Sequence, residues 1–184
     1  MWSVRRYVVS RLVPFLPATR AYKLKARLWR FAGIEVSTST RIVSSVSFHT
    51  SGRIKIGKRT FLGHEAMFVS GAADIIVGND VDVAPRVLFV AGTHEIDMIG
   101  PRTAGRGLSK PIVVHDGVWI GANSTVLGGV TIGQKALVAS GSLVNCDVRP
   151  NSVVAGVPCR VVKVWNEAKG AFERIESRED EHPS

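Results

Sequence analysis

The 184 residues of this chain include five histidines and two cysteines, the side chain types considered first for proton transfer, nucleophilic attack and metal binding. His94 is the strongest candidate for a general base. It stands in the run GTHEI, at the start of a long segment, 92–111, that holds glycine, proline and charges of both signs. Histidine titrates near neutral pH, so an imidazole can take a proton from a hydroxyl group that is otherwise a poor nucleophile. The sequence therefore predicts proton transfer at His94.

His64, in the run FLGHEAM, is the second candidate, and a functional role is favoured over that of a surface histidine. A metal site would need a third converging ligand, and neither His49 nor His115 has a spacing that supplies one, so we expect no metal and interpret both as surface residues. Cys146 and Cys159 are far apart for a disulfide framework or a zinc motif. Neither cysteine has a base beside it, so neither is predicted to be a nucleophile.

The segment 114–149 shows which elements position these side chains. Written in sixes it reads VHDGVW, IGANST, VLGGVT, IGQKAL, VASGSL and VNCDVR, with an aliphatic residue first and a small or β-branched residue fifth. The first positions are Val114, Ile120, Val126, Ile132, Val138 and Val144. This period fits neither a helix nor an ordinary strand, and it is typical of a hexapeptide parallel β-helix that turns these positions inward. An all-β chain is therefore predicted.

Three parts follow along the chain. Residues 1–33 are interpreted as a basic helical cap and residues 34–165 as the β-helix with an extended loop at 92–111. Residues 166–184 are interpreted as a polar tail, either a frayed helix or disordered, to which no function is assigned. The loop lacks the six-residue period, and loops of its length are usually either functional or disordered. Because it begins near His94 and leads back into a regular repeat, an ordered, functional arm is expected.

The cap is predicted to contain two helices broken at Pro14 and Pro17, the second beginning after Thr19 as N-cap. Its apolar stripe would be Leu24, Leu28 and Phe31, beside a stripe of basic residues. One interpretation is that this stripe covers the open end of the coil, as repeat proteins require, and it is favoured. The other is peripheral contact with an anionic membrane, and the two roles can coexist.

The runs VWIGANSTVLGGVTIG and AGVPCRVV resemble the left-handed β-helix acyltransferases that use acetyl-coenzyme A, especially the galactoside, maltose and polysaccharide O-acetyltransferases. The resemblance covers about two thirds of the chain, 53–163. It implies a left-handed coil, a homotrimer, and acetyl transfer to a hydroxyl of a sugar or polysaccharide precursor. His94 matches the position of the family's catalytic base.

The same resemblance implies a set of binding residues. His64 stands where galactoside enzymes carry an acceptor-binding asparagine, and Glu95, Arg102 and Arg106 are further acceptor candidates, although the two arginines could equally be solvated loop charges. The residues implied at the acetyl-coenzyme A groove are Trp119, Gly121, Ala122, Ser140, Asn145, Arg160 and Lys163. Many relatives have Thr-Lys where this chain has Asn145-Cys146, which removes one basic contact to phosphate.

Other functions stay open at this point. The acceptor could be serine, an amino-sugar or an antibiotic, the coil could be that of a zinc-dependent carbonic anhydrase, or it could be a scaffold without catalysis. The formal net charge is +9. Nucleic-acid binding is not expected, because the basic residues are not interleaved with aromatic ones and no nucleic-acid motif is present. No apolar run has transmembrane length and no signal peptide is evident, so a reducing, cytoplasmic setting is expected.

Overall fold

The computed structural model describes residues 4–175, and most of them form a coil whose turns each contribute one strand to each of three flat parallel faces. Face A consists of β1 (Glu35–Val36), β4 (Ile54–Ile56), β7 (Ile75–Val77), β12 (Ile112–Val114) and β15 (Thr131–Ile132). Face B consists of β2 (Arg41–Ile42), β5 (Phe61–Leu62), β8 (Asp82–Val83), β13 (Trp119–Ile120), β16 (Leu137–Val138), β18 (Ser152–Gly156), β19 (Cys159–Asn166) and β20 (Ala171–Arg174). Face C consists of β3 (Ser47–Thr50), β6 (Met67–Ser70), β9 (Leu88–Val90), β14 (Thr125–Leu127) and β17 (Leu143–Val144). The predicted left-handed parallel β-helix is confirmed.

The residues predicted to point inward form the core of the coil. All six first-position residues of 114–149 are at most 1% exposed, and the fifth-position residues are buried as well. Two of these fifth positions are serines, Ser124 and Ser142, and both hydroxyls donate to the carbonyl oxygen of Ala139, over 3.0 and 2.7 Å. Small polar side chains are therefore tolerated inside because their hydrogen bonds are satisfied.

An aromatic ladder fills the lower half of the interior behind face C. Phe48, Phe68 and Phe89 occupy the same position in successive turns, with ring centroids 5.0 and 4.5 Å apart in stacked pairs. Trp29 continues the ladder downward, edge-on to Phe48 with centroids 4.8 Å apart. All four side chains are at most 2% exposed. The ladder thus joins the N-terminal segment to the core of the coil.

Side chains at the corner between faces A and B link one turn to the next. The backbone N–H of Lys58 donates to Asn79 Oδ1, and the backbone N–H of Asn79 donates to Asp116 Oδ1, both over 2.8 Å. Hydrogen bonds donated by the backbone and side-chain amides of Asn79 hold the pKa of the Asp116 carboxyl below its usual range. The corner thereby satisfies backbone donors that short strands leave unpaired.

The N-terminal segment contains helix α1 (Val4–Leu12), a 3₁₀ turn (Val13–Phe15) and helix α2 (Tyr22–Phe31). Thr19 was predicted as the N-cap of the second helix, and this prediction is wrong: Ala21 occupies that position, with φ of 52° and no side-chain cap. The preceding carbonyls of Pro17 and Ala18 accept hydrogen bonds from Lys25 Nζ, over 3.3 and 2.7 Å. This tertiary contact holds the connection as a turn, so the helix begins later. No helix within 4–175 has the length and apolarity to cross a bilayer.

Of the predicted apolar stripe of α2, only Leu28 packs against the core. Leu24 and Phe31 are 46% and 59% exposed, whereas Trp29 and Ala26 are buried against the first turns. Lys25 lies on the buried face too, since its ammonium group also donates to Ser44 Oγ over 3.3 Å, and burial lowers the pKa of this lysine. The helix is therefore rotated from the predicted orientation, because Trp29 fills the end of the aromatic ladder.

The C-terminal tail is partly a strand, so the prediction of a frayed helix or disorder is wrong for Ala171–Arg174. β18, β19 and β20 form an antiparallel continuation of face B, in which Trp165 lies opposite Phe172. Their rings pack edge to face, with centroids 5.2 Å apart. This aromatic cross-strand pair stabilises the hairpin despite its polar composition. The remainder of the predicted tail, 176–184, lies outside the described residues.

Candidate active site

The extended loop leaves the coil at the corner between faces C and A as a two-stranded arm. Its strands are β10 (Gly92–Ile96) and β11 (Ala104–Ser109), which pair antiparallel. At its base the backbone N–H of Lys110 donates to the carbonyl of Ala91 over 2.9 Å, which closes the arm where it rejoins the coil. The arm also fits closely over the turn below, since a Cβ atom at Gly71 would lie 2.4 Å from Ser109 Oγ.

His94 lies on the first strand of the arm, directly opposite Gly107. Its side chain is exposed, and a Cβ atom at Gly107 would have nothing within 4 Å, so the space beside the imidazole is open. Within 4–175 the imidazole makes no hydrogen bond or ion pair. The arm therefore presents a histidine whose two ring nitrogens are available to a substrate.

Three other candidate residues accompany His94 on the arm. Glu95 and Arg106 form an ion pair across the two strands, with Oε1 and Nη2 3.0 Å apart. Arg102 is exposed in the bend at the tip. In that bend Asp97 Oδ1 accepts the backbone N–H groups of Gly100 and Ile99, each over 2.8 Å, and these bonds lower the pKa of the Asp97 carboxyl. The tip is thus an ordered turn.

His64 lies at another corner, between faces B and C. Its carbonyl accepts the N–H of Arg86 in the next turn over 2.8 Å. In the same way the carbonyl of Pro85 accepts from Asn123, and that of Ala122 accepts from Gly141. His64, Pro85, Ala122 and Ser140 therefore occupy equivalent positions in four successive turns. The structure brings His64 into one column with two of the residues assigned to the coenzyme groove, and we call it the B–C column.

Successive turns of the coil lie close together beside the B–C column, at Gly121. A Cβ atom there would lie 2.5 Å from the backbone nitrogen of Ser140, so no side chain could be added without moving the next turn. Trp119, two residues earlier, is 55% exposed on face B. The strand register continues from it through Leu137 and Val153 to Lys163, three strand spacings or about 14 Å away. A slim ligand could lie along this face between an aromatic ring and an ammonium group.

Asn145 and Arg160 meet at the last turn of the coil. The buried Cys159 lies between them in the fold, next to Arg160 in the chain and near Asn145 and Cys146. Burial raises the pKa of the Cys159 thiol. The two cysteines, distant in sequence, thus lie side by side, and no local pattern indicates this. The Arg160 guanidinium is exposed and also donates to its neighbour's carbonyl, over 2.9 Å.

One chain does not bring its two candidate histidines together. His64 lies at the B–C corner and the arm carrying His94 leaves at the C–A corner near Gly71. Strands rise by about 3.3 Å per residue, so the seven residues from His64 to Gly71 span about 20 Å across face C. His49 and His115 are exposed, as predicted. Within 4–175 no group of three His, Cys, Asp or Glu residues could hold a metal ion.

Known proteins share this sequence pattern. The family model described as bacterial transferase hexapeptide (six repeats) matches residues 111–146. Galactoside O-acetyltransferase of Escherichia coli is 36% identical over 126 residues, which cover 66% of this chain and 59% of that enzyme. The chain therefore spans less than two thirds of the length of this curated relative.

Solved structures extend the similarity to nearly the whole chain. A hexapeptide-repeat containing acetyltransferase of Vibrio cholerae is 30% identical, with a TM-score of 0.71 over 89% of this chain and 92% of that one. It has also been solved in complex with acetyl-coenzyme A, in a form with a TM-score of 0.72 and 28% identity over 89% and 86% of the two chains. A maltose O-acetyltransferase of Clostridium difficile has a TM-score of 0.72 and 26% identity, over 88% and 85%. The chain belongs to the hexapeptide-repeat acetyltransferase family.

Proposed function

We propose that this chain is an O-acetyltransferase that moves an acetyl group from acetyl-coenzyme A to a hydroxyl of a sugar or saccharide precursor. The similarity to galactoside and maltose O-acetyltransferases supports the reaction and the class of acceptor. The Vibrio cholerae relative that was solved with acetyl-coenzyme A supports the donor. The observation that carries the proposal is the exposed imidazole of His94, which lies on an arm outside the coil and has no partner within 4–175.

In the proposed reaction the neutral imidazole of His94 accepts the proton of the acceptor hydroxyl. The hydroxyl oxygen then bonds to the thioester carbonyl carbon, the carbon–sulfur bond breaks, and the imidazolium returns its proton to the departing thiolate. The products are an acetyl ester and a free thiol, so the histidine ends in its starting state. A backbone N–H at the groove would stabilise the charge that develops on the carbonyl oxygen.

The residues along face B and the B–C column fit the coenzyme. Acetyl-coenzyme A supplies the acetyl thioester, and its pantetheine arm is slim and carries amides that could bond to backbone groups. Ala122 and Ser140 leave the corner shallow enough for such a chain, and Trp119 offers an exposed apolar face. Arg160 and Lys163 are exposed at the last turn, where cationic side chains could bind phosphate through charge-assisted hydrogen bonds.

The acceptor would bind between the arm and the B–C column. Glu95 and Arg106 are about half or more exposed, and such ion pairs contribute little stability, so either group could exchange its partner for a sugar hydroxyl. Arg102 could contact an acidic substituent from the tip of the arm. His64, at the base of the column, would hold the acceptor or help to position it.

We further propose a homotrimer with its active sites between neighbouring coils. The groove residues and the arm lie at different corners of one chain, about 20 Å apart across face C. The arm of one copy placed beside the B–C column of the next would bring His94 to the thioester. Ile99 and Met98 at the arm tip, 99% and 82% exposed, would then pack against the neighbour.

The proposed function is tested by incubating the purified chain with acetyl-coenzyme A and a panel of hydroxyl acceptors. Thiol release that depends on a galactoside, maltoside or other saccharide supports it, and mass spectrometry should find one added acetyl group per product. Serine, amino-sugars and aminoglycosides form the second half of the panel, since they represent other small acceptors. Thiol release only with these compounds would contradict the sugar assignment, and coenzyme binding without transfer to any acceptor would favour a non-catalytic scaffold.

A further inference from the structure

The two N-terminal helices leave a row of apolar side chains on their outer side. Val4, Val8 and Leu12 recur every four residues on α1 and are 78%, 44% and 53% exposed, and Phe15 in the following turn is 89% exposed. The next row of α1 faces inward instead, since Val9 is 1% exposed. α1 therefore has a second apolar row that is largely exposed in the described part of the chain.

α2 extends the same kind of surface. Leu24 and Phe31 are exposed, because the helix turns Trp29 towards the coil. The two helices meet at this outer side, where the Arg5 guanidinium lies over the Phe31 ring, 5.1 Å from its centroid. We call the exposed apolar residues of both helices the outer cap surface; they are Val4, Val8, Leu12, Phe15, Leu24 and Phe31.

The charges around the outer cap surface have one sign. Six basic side chains of the segment are exposed, and from Val4 to Ile34 the sequence has no acidic residue. The exposed basic residues are Arg5, Arg11, Arg20, Lys23, Arg27 and Arg30. Two basic residues are instead held by the fold: Lys25 is buried, and Arg6 donates to the carbonyls of Ala32 and Thr50. Within 4–175 none of the six exposed cations makes a side-chain hydrogen bond or an ion pair, and only Arg5 and Arg11 lie over aromatic rings, those of Phe31 and Tyr7.

We infer that the outer cap surface binds the interface of an anionic lipid bilayer. Exposed aliphatic and aromatic side chains flanked by arginine and lysine are the pattern that inserts into the headgroup boundary while the cations contact lipid phosphates. A second copy of this surface is a poor occupant, because six cations would face six cations across an apolar contact. The chain would thus lie on a membrane without crossing it.

The experiment is sedimentation of the full chain with vesicles of phosphatidylcholine alone and of phosphatidylcholine with about 30% phosphatidylglycerol, whose negative surface potential attracts basic segments. The intact chain should bind the anionic vesicles and not the neutral ones. Binding should weaken at high salt, since screening shortens the reach of the exposed cations.

Two variants separate the apolar and the charged contributions. Leu12→Ser with Phe15→Ser removes the centre of the apolar row, and Arg20→Gln with Arg27→Gln removes two cations. Each should reduce the vesicle partition coefficient by about tenfold or more, because each lost contact at the interface contributes independently. All four side chains are exposed, so thermal unfolding should stay at the temperature of the unaltered chain.

Val157→Ser is the matched control, because Val157 is 71% exposed, as the cap residues are, but lies between β18 and β19 at the other end of the coil. It should leave vesicle binding unchanged. Equal binding of neutral and anionic vesicles, or equal loss in the control, would overturn the inference. The inference would also be wrong if the intact chain bound no vesicles and the Leu12→Ser, Phe15→Ser variant had a lower molecular mass in light scattering. That result would identify a second copy of the chain as the occupant. None of these measurements depends on enzymatic activity.

Discussion

The coil keeps its large apolar side chains inside, whereas the arm leaves its own in solvent. Phe48, Phe68 and Phe89 are at most 2% exposed, while Met98 and Ile99 at the arm tip are 82% and 99% exposed. The coil gains its stability from burial at positions fixed by a repeat. The arm is held by its strand pairing and by one turn, and it carries the candidate base. Substitutions in the two regions should therefore separate loss of activity from loss of stability.

The largest effect is expected on the arm. His94→Ala should reduce turnover by about 10²–10⁴-fold, roughly 3–5 kcal/mol of barrier, because a positioned base contributes that much to proton transfer. The free energy of unfolding should not change, since the exposed imidazole fills no core volume. Activity of the unaltered chain should also fall in acid, because a protonated imidazole cannot accept a proton, and this limb should be absent in the residual activity of the variant. Steady-state kinetics over a pH series and thermal unfolding check these points.

His115→Ala is the matched control, since that histidine is also exposed but lies at a corner between faces A and B. It should keep full turnover.

The shared site is tested by mixing His94→Ala with Ser140→Trp, which fills the B–C column. If sites form between copies, co-expressed mixtures should regain part of the activity that each variant lacks. Near-normal turnover of His94→Ala would show that the base lies elsewhere, with His64 the next candidate.

In the coil the effect should fall on stability. Phe68→Ala opens a cavity between two stacked rings and should lower the free energy of unfolding by about 3–5 kcal/mol. For a chain of this length, that corresponds to a fall in Tm of about 10 °C or more in thermal unfolding followed by circular dichroism. Val69→Ala, on the same strand but facing outward and half-buried, should cost far less. A Phe68→Ala variant as stable as Val69→Ala would mean that the ladder does not support the coil.

The smallest effect is expected at the tip of the arm. Asp97→Asn removes the charge that accepts the N–H groups of Gly100 and Ile99, so it should loosen the turn and leave Tm unchanged. Because these bonds lower the folded-state pKa of Asp97, their stabilisation is complete above the ordinary aspartate pKa and is lost as pH falls through the lower, folded-state value. Amide NMR signals of Ile99 and Gly100 should titrate with a midpoint below that of a free aspartate. A midpoint at or above it would contradict the hydrogen-bonded turn, and the Asp97→Asn variant should show no such transition.

The repeat made the interior of the coil predictable. Each turn must bury the same positions against the turn before, so the signal recurs every six residues and Val114, Ile120 and Val126 could be assigned from spacing alone. The place where the period stopped likewise located the arm and His94. These features are local in sequence, which is why they could be inferred without coordinates.

The ends of the coil were less predictable, because contacts distant in sequence decide them. A helical period allows α2 to bury either Leu24 and Phe31 or Ala26 and Trp29, and the choice depends on Phe48 and on the partners of Lys25. The contact between the two cysteines depends on a hairpin that no local pattern indicates. His64 and His94 are separated because they occupy different corners of the coil. Assigning a residue to a corner requires knowing how many residues each turn contains, including the irregular turns.

The structure of the two ends of the coil also determines whether identical coils can associate end to end. A stack of parallel strands exposes unpaired backbone groups at its first and last turn, and identical coils could add to one another there as fibres do. Here α2 covers the first turn with Trp29, and at the other end the chain reverses direction through β18, β19 and β20. The incoming turn of a second molecule would therefore meet a helix at one end and a strand of opposite direction at the other. The coil is thus a closed segment of a structure that could otherwise grow without limit.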